Sequence, residues 1–220
     1  MNLKMHLLLA FIISVFCIVG FSLISLFISD HKIISFDRTL IDQIQGLESP
    51  YLTSLMKLLT FIGSTPFVIV LSLCLIFFLY KVLHHRLELI LFIGALGGTA
   101  VLNKILKHLF RRTRPHLHRL IEATGYSFPS GHAMSAFTVY VILSFLLWRH
   151  IPSRWGRTLL IIFSTVMILG IGISRVYLGV HYPSDIIGGY LASGFWLTVA
   201  IWFFQYYKEK RYNKREKHEG

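Results

Sequence analysis

Charged residues and cysteines are scarce in this chain of 220 residues. Only 15% of the residues are charged while 55% are hydrophobic, and the mean hydropathy is +0.64. Soluble domains carry about 25% charged residues, so this composition argues against that class. Cys17 and Cys74 each lie in the middle of an apolar run, which gives no support to a disulfide framework or a thiolate metal site. The composition predicts an integral membrane protein.

Six apolar runs are long enough to cross a bilayer, which takes about 20 residues per helix. They cover residues 6–28, 65–83, 87–106, 130–148, 158–176 and 185–206. The first run is too long for the apolar part of a signal peptide, and no small-residue cleavage site follows it. We therefore predict an all-α bundle of six transmembrane helices that forms a single domain over residues 1–220.

The segment of residues 29–64 separates the first two predicted spans. Its apolar residues recur at roughly helical spacing: Ile33, Ile34, Phe36, Leu40, Ile41 and Ile44. This pattern predicts a short amphipathic segment on the membrane surface. A lid over a site and an oligomer contact are the alternatives that the pattern leaves open.

The excess of basic residues gives a formal net charge of +12. A nucleic-acid partner is not expected, because the basic residues lie at the edges of apolar runs rather than on one soluble basic face. Basic residues in short loops mark the cytoplasmic side of a membrane. The set that defines this side is Lys4, Lys81, Arg86, Arg149, Arg154, Arg157 and the basic tail of residues 207–220. Both termini are therefore predicted to be cytoplasmic.

A basic cluster on the opposite side breaks this rule. It follows the third span and consists of Lys107, Arg111, Arg112, Arg114 and Arg119. An anion-binding site explains such an exception. Two further polar segments, residues 129–132 and 174–185, are predicted to face the same outer compartment, so we expect all three to contribute to one site.

The first segment joins Lys107 and Arg114 through six residues and continues into Pro115. Lysine supplies a point charge and arginine a planar fork, a combination suited to phosphoryl oxygens. Contact with lipid headgroups is the alternative for this segment. We interpret Arg111, Arg112 and Arg119 as contacts of this kind with lipid headgroups.

The second segment is Pro129-Ser130-Gly131-His132, immediately before an apolar run. A helix that begins here offers free backbone N–H groups, a serine hydroxyl and a glycine that permits close approach, all of which suit an anion. His132 on the first turn can donate a proton to a departing oxygen. Ordinary helix capping by Ser130 is the alternative.

The third segment, residues 174–185, places Arg175, His181 and Asp185 between two apolar runs, where ionisable groups are usually functional. If a helix begins near Pro183, the side chains of His181 and Asp185 meet across its first turn. The carboxylate then fixes which imidazole nitrogen is free to act as a nucleophile or base. The alternative is an ion pair between Arg175 and Asp185 with no chemical role for His181.

The candidate site residues of the three segments are three cations, two histidines and one carboxylate: Lys107, Arg114, Arg175, His132, His181 and Asp185. The cations would repel a metal ion and favour an oxyanion, so we expect no metal. This inventory fits phosphoryl transfer through a covalent intermediate.

In this order the patterns K-x6-R-P, P-S-G-H and S-R-x5-H-x3-D resemble the signature of the type 2 phosphatidic acid phosphatase superfamily, and every signature position is filled. The resemblance implies a six-span fold and no cofactor. It implies that His181 is the nucleophile, that Asp185 orients it and that His132 protonates the leaving oxygen. It also implies that the phosphate is held by Lys107, Arg114, Ser130, Gly131 and Arg175. Soluble vanadium haloperoxidases share this oxyanion cage, but six spans disfavour that chemistry.

The expected function is that of a lipid phosphatase of the plasma membrane, with its site facing outward and the bilayer and a lipid phosphate as its partners. Bacterial proteins that the chain resembles act on phosphatidylglycerophosphate, phosphatidate or undecaprenyl diphosphate, and an outward site favours the last. A non-enzymatic anion or phospholipid transporter and a catalytically silent scaffold are the alternatives.

Several remaining residues receive minor expectations. His116 and His118 are interpreted as loop histidines, and Glu122 as a contact for a substrate glycerol or a screen for the arginines. Three aromatic residues are expected at the lipid entrance or in the interfacial belt: Tyr126, Phe128 and Tyr177. The glycines of the spans are expected to mark close helix packing: Gly94, Gly97, Gly98, Gly170 and Gly172.

Overall fold

The computed structural model describes residues 3–82, 86–115, 118–148 and 150–219, and this part of the chain is helical with no strand. Its helices are α1 (Leu3–Ser29), α2 (Ile34–Gln45), α3 (Pro50–Ile62), α4 (Thr65–Phe77), α5 (Arg86–Phe110), α6 (Gly131–Leu147), α7 (Arg154–Tyr177) and α8 (Pro183–Glu219), with a π-helical turn at Phe78–Val82 after α4. The predicted all-α class is confirmed.

Four helices of the described chain are long and apolar enough to cross a membrane: Leu8–Ser29, Leu87–Phe110, Arg154–Tyr177 and Pro183–Lys210. The helices α3 and α4 form a pair bent by 52°, which brings the number to five if the pair crosses as one unit. Helix α6 is apolar but has only 17 residues, so it is shorter than the span predicted over residues 130–148. The prediction of six spans is therefore not confirmed by length and composition.

The bend between α3 and α4 has a local cause. Gly63 ends α3, and Ser64 is the extended residue that precedes α4, whose second residue is Pro66. Proline fits the first turn of a helix but cannot continue one, because it lacks an N–H group. The apolar run predicted at residues 65–83 therefore begins as a new helix in a new direction.

The bundle packs around α8, which contacts α1, α5 and α6, while α6 and α3 both pack on α7. One apolar core lies between α5, α6 and α8, and its buried members are Leu91, Phe92, Ala95, Ile142, Leu146 and Leu197. Helix α1 buries little of its surface, and residues such as Phe11 and Phe16 are about two-thirds exposed. A helix that is apolar on its outer surface is expected in lipid rather than in water.

The segment predicted to be amphipathic contains α2 and α3. Helix α2 buries Ile41 and packs against α7 and α8. Gln45 at its end donates to the backbone oxygen of Tyr177 over 3.1 Å, and Thr53 of α3 lies 2.8 Å from the Tyr177 hydroxyl. Both helices are thus attached to the end of α7.

Small residues allow close helix approach at two of the predicted glycines. A Cβ atom at Gly98 would collide with the indole ring of Trp196, and one at Gly172 would collide with the Tyr190 hydroxyl. Open space surrounds Gly94 and Gly97 instead. The packing interpretation is therefore confirmed for Gly98 and Gly172 and wrong for Gly94 and Gly97.

Substitution of these glycines tests the packing of α5 on α8. Gly98→Ala should destabilise the protein by about 1–3 kcal/mol, the usual cost of overpacking. Gly94→Ala on the same helix is the matched control and should be neutral or slightly stabilising. Thermal unfolding in detergent measures both, and equal midpoints for the two variants would contradict the packing described above.

Candidate active site

The site lies at the end of the bundle where α5 and α7 end and α6 and α8 begin. Lys107 is in the last turn of α5, and Arg175 is in the last turn of α7. His132 is in the first turn of α6, and Asp185 is in the first turn of α8. Arg114 and His181 come from the loops between these helix pairs. The three predicted polar segments therefore meet at one place.

His181 and Asp185 form the hydrogen-bonded pair that the spacing predicted. Helix α8 begins at Pro183, and Nδ1 of His181 lies 3.2 Å from Oδ2 of Asp185. The same oxygen accepts the backbone N–H of Tyr182 over 2.9 Å and the hydroxyl of Ser127. Because Nδ1 faces a carboxylate, it carries the proton. The Nε2 atom is then the unprotonated nitrogen, and its electron pair can accept a hydrogen bond or act as a nucleophile.

The environment of His181 keeps its imidazole neutral. The ring is 2% exposed, and burial is the main reason that the pKa of His181 falls to about 4. The hydrogen bond and the charge of Asp185 act in the opposite direction, while Arg114 and Arg175 lower this pKa further. At pH 7 the imidazole is therefore uncharged and can donate its electron pair.

Arg114 is held directly beside the unprotonated nitrogen of His181. Its Nη1 atom lies 3.0 Å from Nε2 of His181 and donates to the backbone oxygen of Val180 over 2.8 Å. Its Nε and Nη2 atoms donate to the backbone oxygens of Gly125 and Thr124 over 3.0 Å and 2.9 Å. These carbonyl groups fix the guanidinium of Arg114 in this orientation, but they do not neutralise its positive charge.

The other two cations are also held by neutral groups. Lys107 donates to the backbone oxygen of Tyr126 over 2.6 Å. Arg175 donates through Nη1 to the hydroxyl of Thr60 on α3, and its buried Nε atom has no hydrogen-bond acceptor in the described chain. Within that part of the chain no carboxylate pairs with Lys107, Arg114 or Arg175. Uncompensated cations at one place attract an anion.

The start of α6 contributes His132, the capping residue Ser130 and Gly131, at which α6 approaches α5 closely. The hydroxyl of Ser130 accepts the N–H of Ala133 over 3.4 Å, and the N–H of Ser130 donates to the backbone oxygen of Asp185 over 3.1 Å. Ser130 thus caps α6 and joins it to α8. A Cβ atom at Gly131 would lie 3.1 Å from the side-chain oxygen of Asn103, so glycine permits the close approach of α6 to α5.

One cavity of about 860 Å³ connects most of these residues. Its polar end is lined by six of the eight predicted site residues: Lys107, Arg114, Gly131, His132, Arg175 and His181. Ser130 and Asp185 are fully buried behind this lining. Away from this end, one wall consists largely of apolar residues of α4 and α5, which include Val68, Ile69, Ile76, Phe92, Ile93 and Leu96. The cavity therefore combines a cationic end with an apolar wall.

The interpretation of Arg112 as a headgroup contact is wrong. Its Nη1 atom donates to Oδ1 of Asp185 and to the hydroxyl of Ser184, each over 2.7 Å. Its Nη2 atom donates over 2.7 Å to Asp37 of α2. Arg111 and Arg119 differ, because both are exposed and each donates to a nearby backbone carbonyl, that of His108 in the last turn of α5 and that of Pro115 in the loop.

The sequence analysis did not assign four residues to the site that contact its residues directly or through one neighbour: Asp37, Asn103, Arg112 and Ser127. A signal existed for Asp37, because it falls between Ile34 and Ile41 on the apolar face of α2, where a carboxylate needs a partner. No local signal identifies Ser127, since its partners His181 and Asp185 lie 54 and 58 residues further along the chain.

The minor expectations have mixed outcomes. His118 lies on the loop and pairs with Glu48 over 2.6 Å, while His116 falls outside the described residues. Glu122 lines the cavity. Phe128 and Tyr177 do not border an entrance, because both are buried: Phe128 packs against Phe21 and Phe110, and Tyr177 contacts α3.

A metal site does not emerge from the described side chains, among which no three His, Cys, Asp or Glu residues come together in a suitable group. The cations around the cavity also disfavour a bound cation. The donor set of Lys107, Arg114 and Arg175 instead matches an oxyanion.

Comparison with known proteins decides the family. A sequence profile described as the PAP2 superfamily matches residues 88–209. The chain belongs to the PAP2 superfamily. It is 36% identical to phosphatidylglycerophosphatase B of Bacillus subtilis over 149 residues, which are 66% of this chain and 71% of that protein.

Two further similarities agree with this PAP2 assignment. An undecaprenyl-diphosphatase of Sulfolobus acidocaldarius is 35% identical over 104 residues, 44% of this chain and 46% of that protein. The crystal structure of a transmembrane PAP2-type phosphatidylglycerolphosphate phosphatase from Bacillus subtilis superposes with a TM-score of 0.75 at 30% identity, covering 90% of this chain and 96% of that one. As a member of the PAP2 superfamily, the 220-residue chain is a phosphatase, a hydrolase that acts on phosphate esters of lipids.

Proposed function

We propose that this PAP2 protein removes phosphate from a lipid phosphomonoester or diphosphate through a phosphohistidine formed on His181. One observation carries the proposal: Lys107, Arg114 and Arg175, which have no carboxylate partner in the described chain, line one cavity with a neutral histidine whose unprotonated Nε2 atom contacts only Arg114 there. Three cations can neutralise the oxygens of a phosphoryl group and the charge that develops on them in the transition state.

In the first step, Nε2 of His181 attacks the phosphorus atom, and the bond from phosphorus to the leaving oxygen breaks. The negative charge of the bound phosphate favours the protonated form of His132, which lines the same cavity and donates its proton to that oxygen. Asp185 stabilises the positive charge that develops on the imidazole through its hydrogen bond to Nδ1. The first product is the dephosphorylated lipid.

In the second step, water attacks the phosphorus atom of the phosphohistidine, and His132 accepts the proton that the water loses. The bond between phosphorus and Nε2 breaks, which releases inorganic phosphate and restores the neutral imidazole. The two histidines thereby return to their starting protonation states, so the cycle requires only water and the lipid phosphate.

The covalent intermediate can be detected directly. After a lipid with a ³²P-labelled terminal phosphate is mixed with the detergent-solubilised enzyme and quenched in alkali, we expect an acid-labile, alkali-stable label on wild type and none on His181→Ala. His132→Ala should reduce phosphate release by roughly 10²–10⁴-fold, the usual contribution of a general acid. The reaction should proceed in chelator.

The same assay separates the alternatives. A non-enzymatic anion or phospholipid transporter releases no phosphate in any of the three forms. Phosphate release by wild type without label on His181 would refute the phosphohistidine and retain the phosphatase.

The apolar wall of the cavity supports a substrate whose chains remain in lipid. The names of two relatives, phosphatidylglycerophosphatase B and undecaprenyl-diphosphatase, indicate two substrate classes. Phosphatidate is a third expected class. An outward-facing site favours undecaprenyl diphosphate, because the carrier is released on that side of the membrane.

Gly97 provides a test of the apolar wall. It lines the cavity, and space is open where a side chain would project. Gly97→Leu should therefore lower kcat/KM for long-chain lipid phosphates about tenfold, as steric mismatch in an apolar pocket typically does, and should leave a short water-soluble phosphate ester unaffected. Gly94→Leu is the control, since Gly94 also has open space but lies outside the cavity. Equal losses on both substrates would contradict a lipid-binding wall.

We further propose that α6 and the α3–α4 pair complete six crossings, with both termini cytoplasmic and the site outside. Membrane-impermeant maleimide tests this in a variant whose native cysteines are alanine. On intact cells, Thr113→Cys near the site should be labelled, and Trp155→Cys at the start of α7 should react only after permeabilisation. Both positions are exposed. The reverse pattern would place the site inside.

A further inference from the structure

Asp37 is a buried carboxylate on a helix that is otherwise largely exposed. It is 1% exposed and lies on the face of α2 that also carries Ile41. Burial of a carboxylate is strongly unfavourable unless the group is paired and hydrogen-bonded. An acid on the apolar face of α2 therefore calls for a partner that compensates this cost.

The partners of Asp37 belong to the active site rather than to α2. Its Oδ2 atom accepts from Nη2 of Arg112 and from the hydroxyl of Ser184, each over 2.7 Å. Its Oδ1 atom accepts the backbone N–H of Ser184 over 2.9 Å. Asp37 is thus hydrogen-bonded to Ser184, which directly precedes Asp185.

Arg112 continues this chain of contacts to Asp185. Its second terminal nitrogen, Nη1, donates to Oδ1 of Asp185 over 2.7 Å, and its guanidinium lies 4.0 Å from the centre of the Tyr182 ring. One arginine therefore bridges two carboxylates that are fully buried, and only one of them contacts His181.

We propose that Asp37 and Arg112 are positioning residues that hold Asp185 in the orientation by which it fixes the proton on Nδ1 of His181. Asp37 restrains Arg112 from the α2 side, and Arg112 occupies Oδ1 of Asp185 so that Oδ2 stays directed at the imidazole. This inference rests on the proposed nucleophilic role of His181. It gives α2, which lies outside the region matched by the PAP2 profile, a defined task in the reaction.

The arrangement also sets the charge behind His181. Asp37, Arg112 and Asp185 together carry one net negative charge. Removal of the Asp37 charge leaves no net charge, whereas removal of the Arg112 charge leaves two negative charges. Because a negative environment stabilises the imidazolium, the two substitutions should change the basicity of His181 in opposite directions. A purely structural role would not produce opposite signs.

Other charges also face His181, and they are common to all variants. They are Asp185 on α8, Arg114 in the α5–α6 loop, Arg175 on α7, His132 on α6 and Lys107 on α5.

The test compares Asp37→Asn and Arg112→Gln with two neighbouring control variants, Asp42→Asn and Arg111→Gln. Asp42 is exposed on the same helix, and Arg111 is exposed next to Arg112. We expect Asp37→Asn to lower kcat at least tenfold and Arg112→Gln at least a hundredfold, with KM changed less than threefold. Both controls should retain wild-type turnover.

The second readout is NMR of the full-length protein with ¹⁵N-labelled histidine, in which the His181 signal is assigned by its loss in His181→Gln. In Asp37→Asn the pKa of His181 should fall, and in Arg112→Gln it should rise. Shifts in the same direction, no shift in either variant, or equal turnover of Asp37→Asn and Asp42→Asn would overturn the proposal.

A conservative variant covers the case in which Asp37→Asn does not fold. Asp37→Glu keeps the charge but moves the carboxylate by one methylene, and it should lower kcat while leaving the pKa of His181 nearly unchanged. Wild-type turnover by Asp37→Glu would overturn the positioning role. The NMR titration does not depend on turnover, so failure of the phosphohistidine mechanism, seen as retained activity in His181→Gln, is distinguishable from failure of this inference.

Discussion

The hydrogen bond between Nδ1 of His181 and Oδ2 of Asp185 is the contact on which the site depends. It joins a loop to the first turn of α8 and decides which ring nitrogen faces the cavity. The carboxylate is also fixed by the N–H of Tyr182, the hydroxyl of Ser127 and the guanidinium of Arg112. A carboxylate held from several sides cannot rotate away from the imidazole, so the direction of Nε2 follows from the fold rather than from a flexible side chain.

The contact between His181 and Asp185 could be predicted from the sequence because their spacing is local. Four residues separate His181 from Asp185, and a helix beginning at Pro183 converts this spacing into a contact. That all three segments meet at one end followed from the basic cluster on the side where the topology rule expects few basic residues. The structure adds that Ser130 caps α6 behind the cavity wall instead of lining it.

What the sequence could not supply are contacts between distant positions. Arg111, Arg112 and Arg114 look alike in the chain, yet only Arg112 and Arg114 turn inward. Arg111 adopts a left-handed backbone with φ of 48° where α5 ends, a change of direction that no pattern of basic residues reveals. The pairing of Arg112 with Asp37 joins residues 75 positions apart. Helix lengths were also not apparent from hydropathy, since the predicted run 65–83 divides into α4, which ends at Phe77, and the π-helical turn at Phe78–Val82.

The cavity has two chemically different boundaries, and under the proposed function this has a consequence for the order of events. The cleaved lipid is apolar along most of its length and can withdraw beside Val68 and Leu96 towards the hydrocarbon, whereas the charged inorganic phosphate is expected to leave on the polar side, where the exposed Glu122 lines the cavity. Separate routes mean that the alcohol product need not wait for the phosphate to leave. Water can then reach the phosphorylated histidine from the aqueous side while the lipid diffuses away within its own leaflet, which disfavours the reverse reaction.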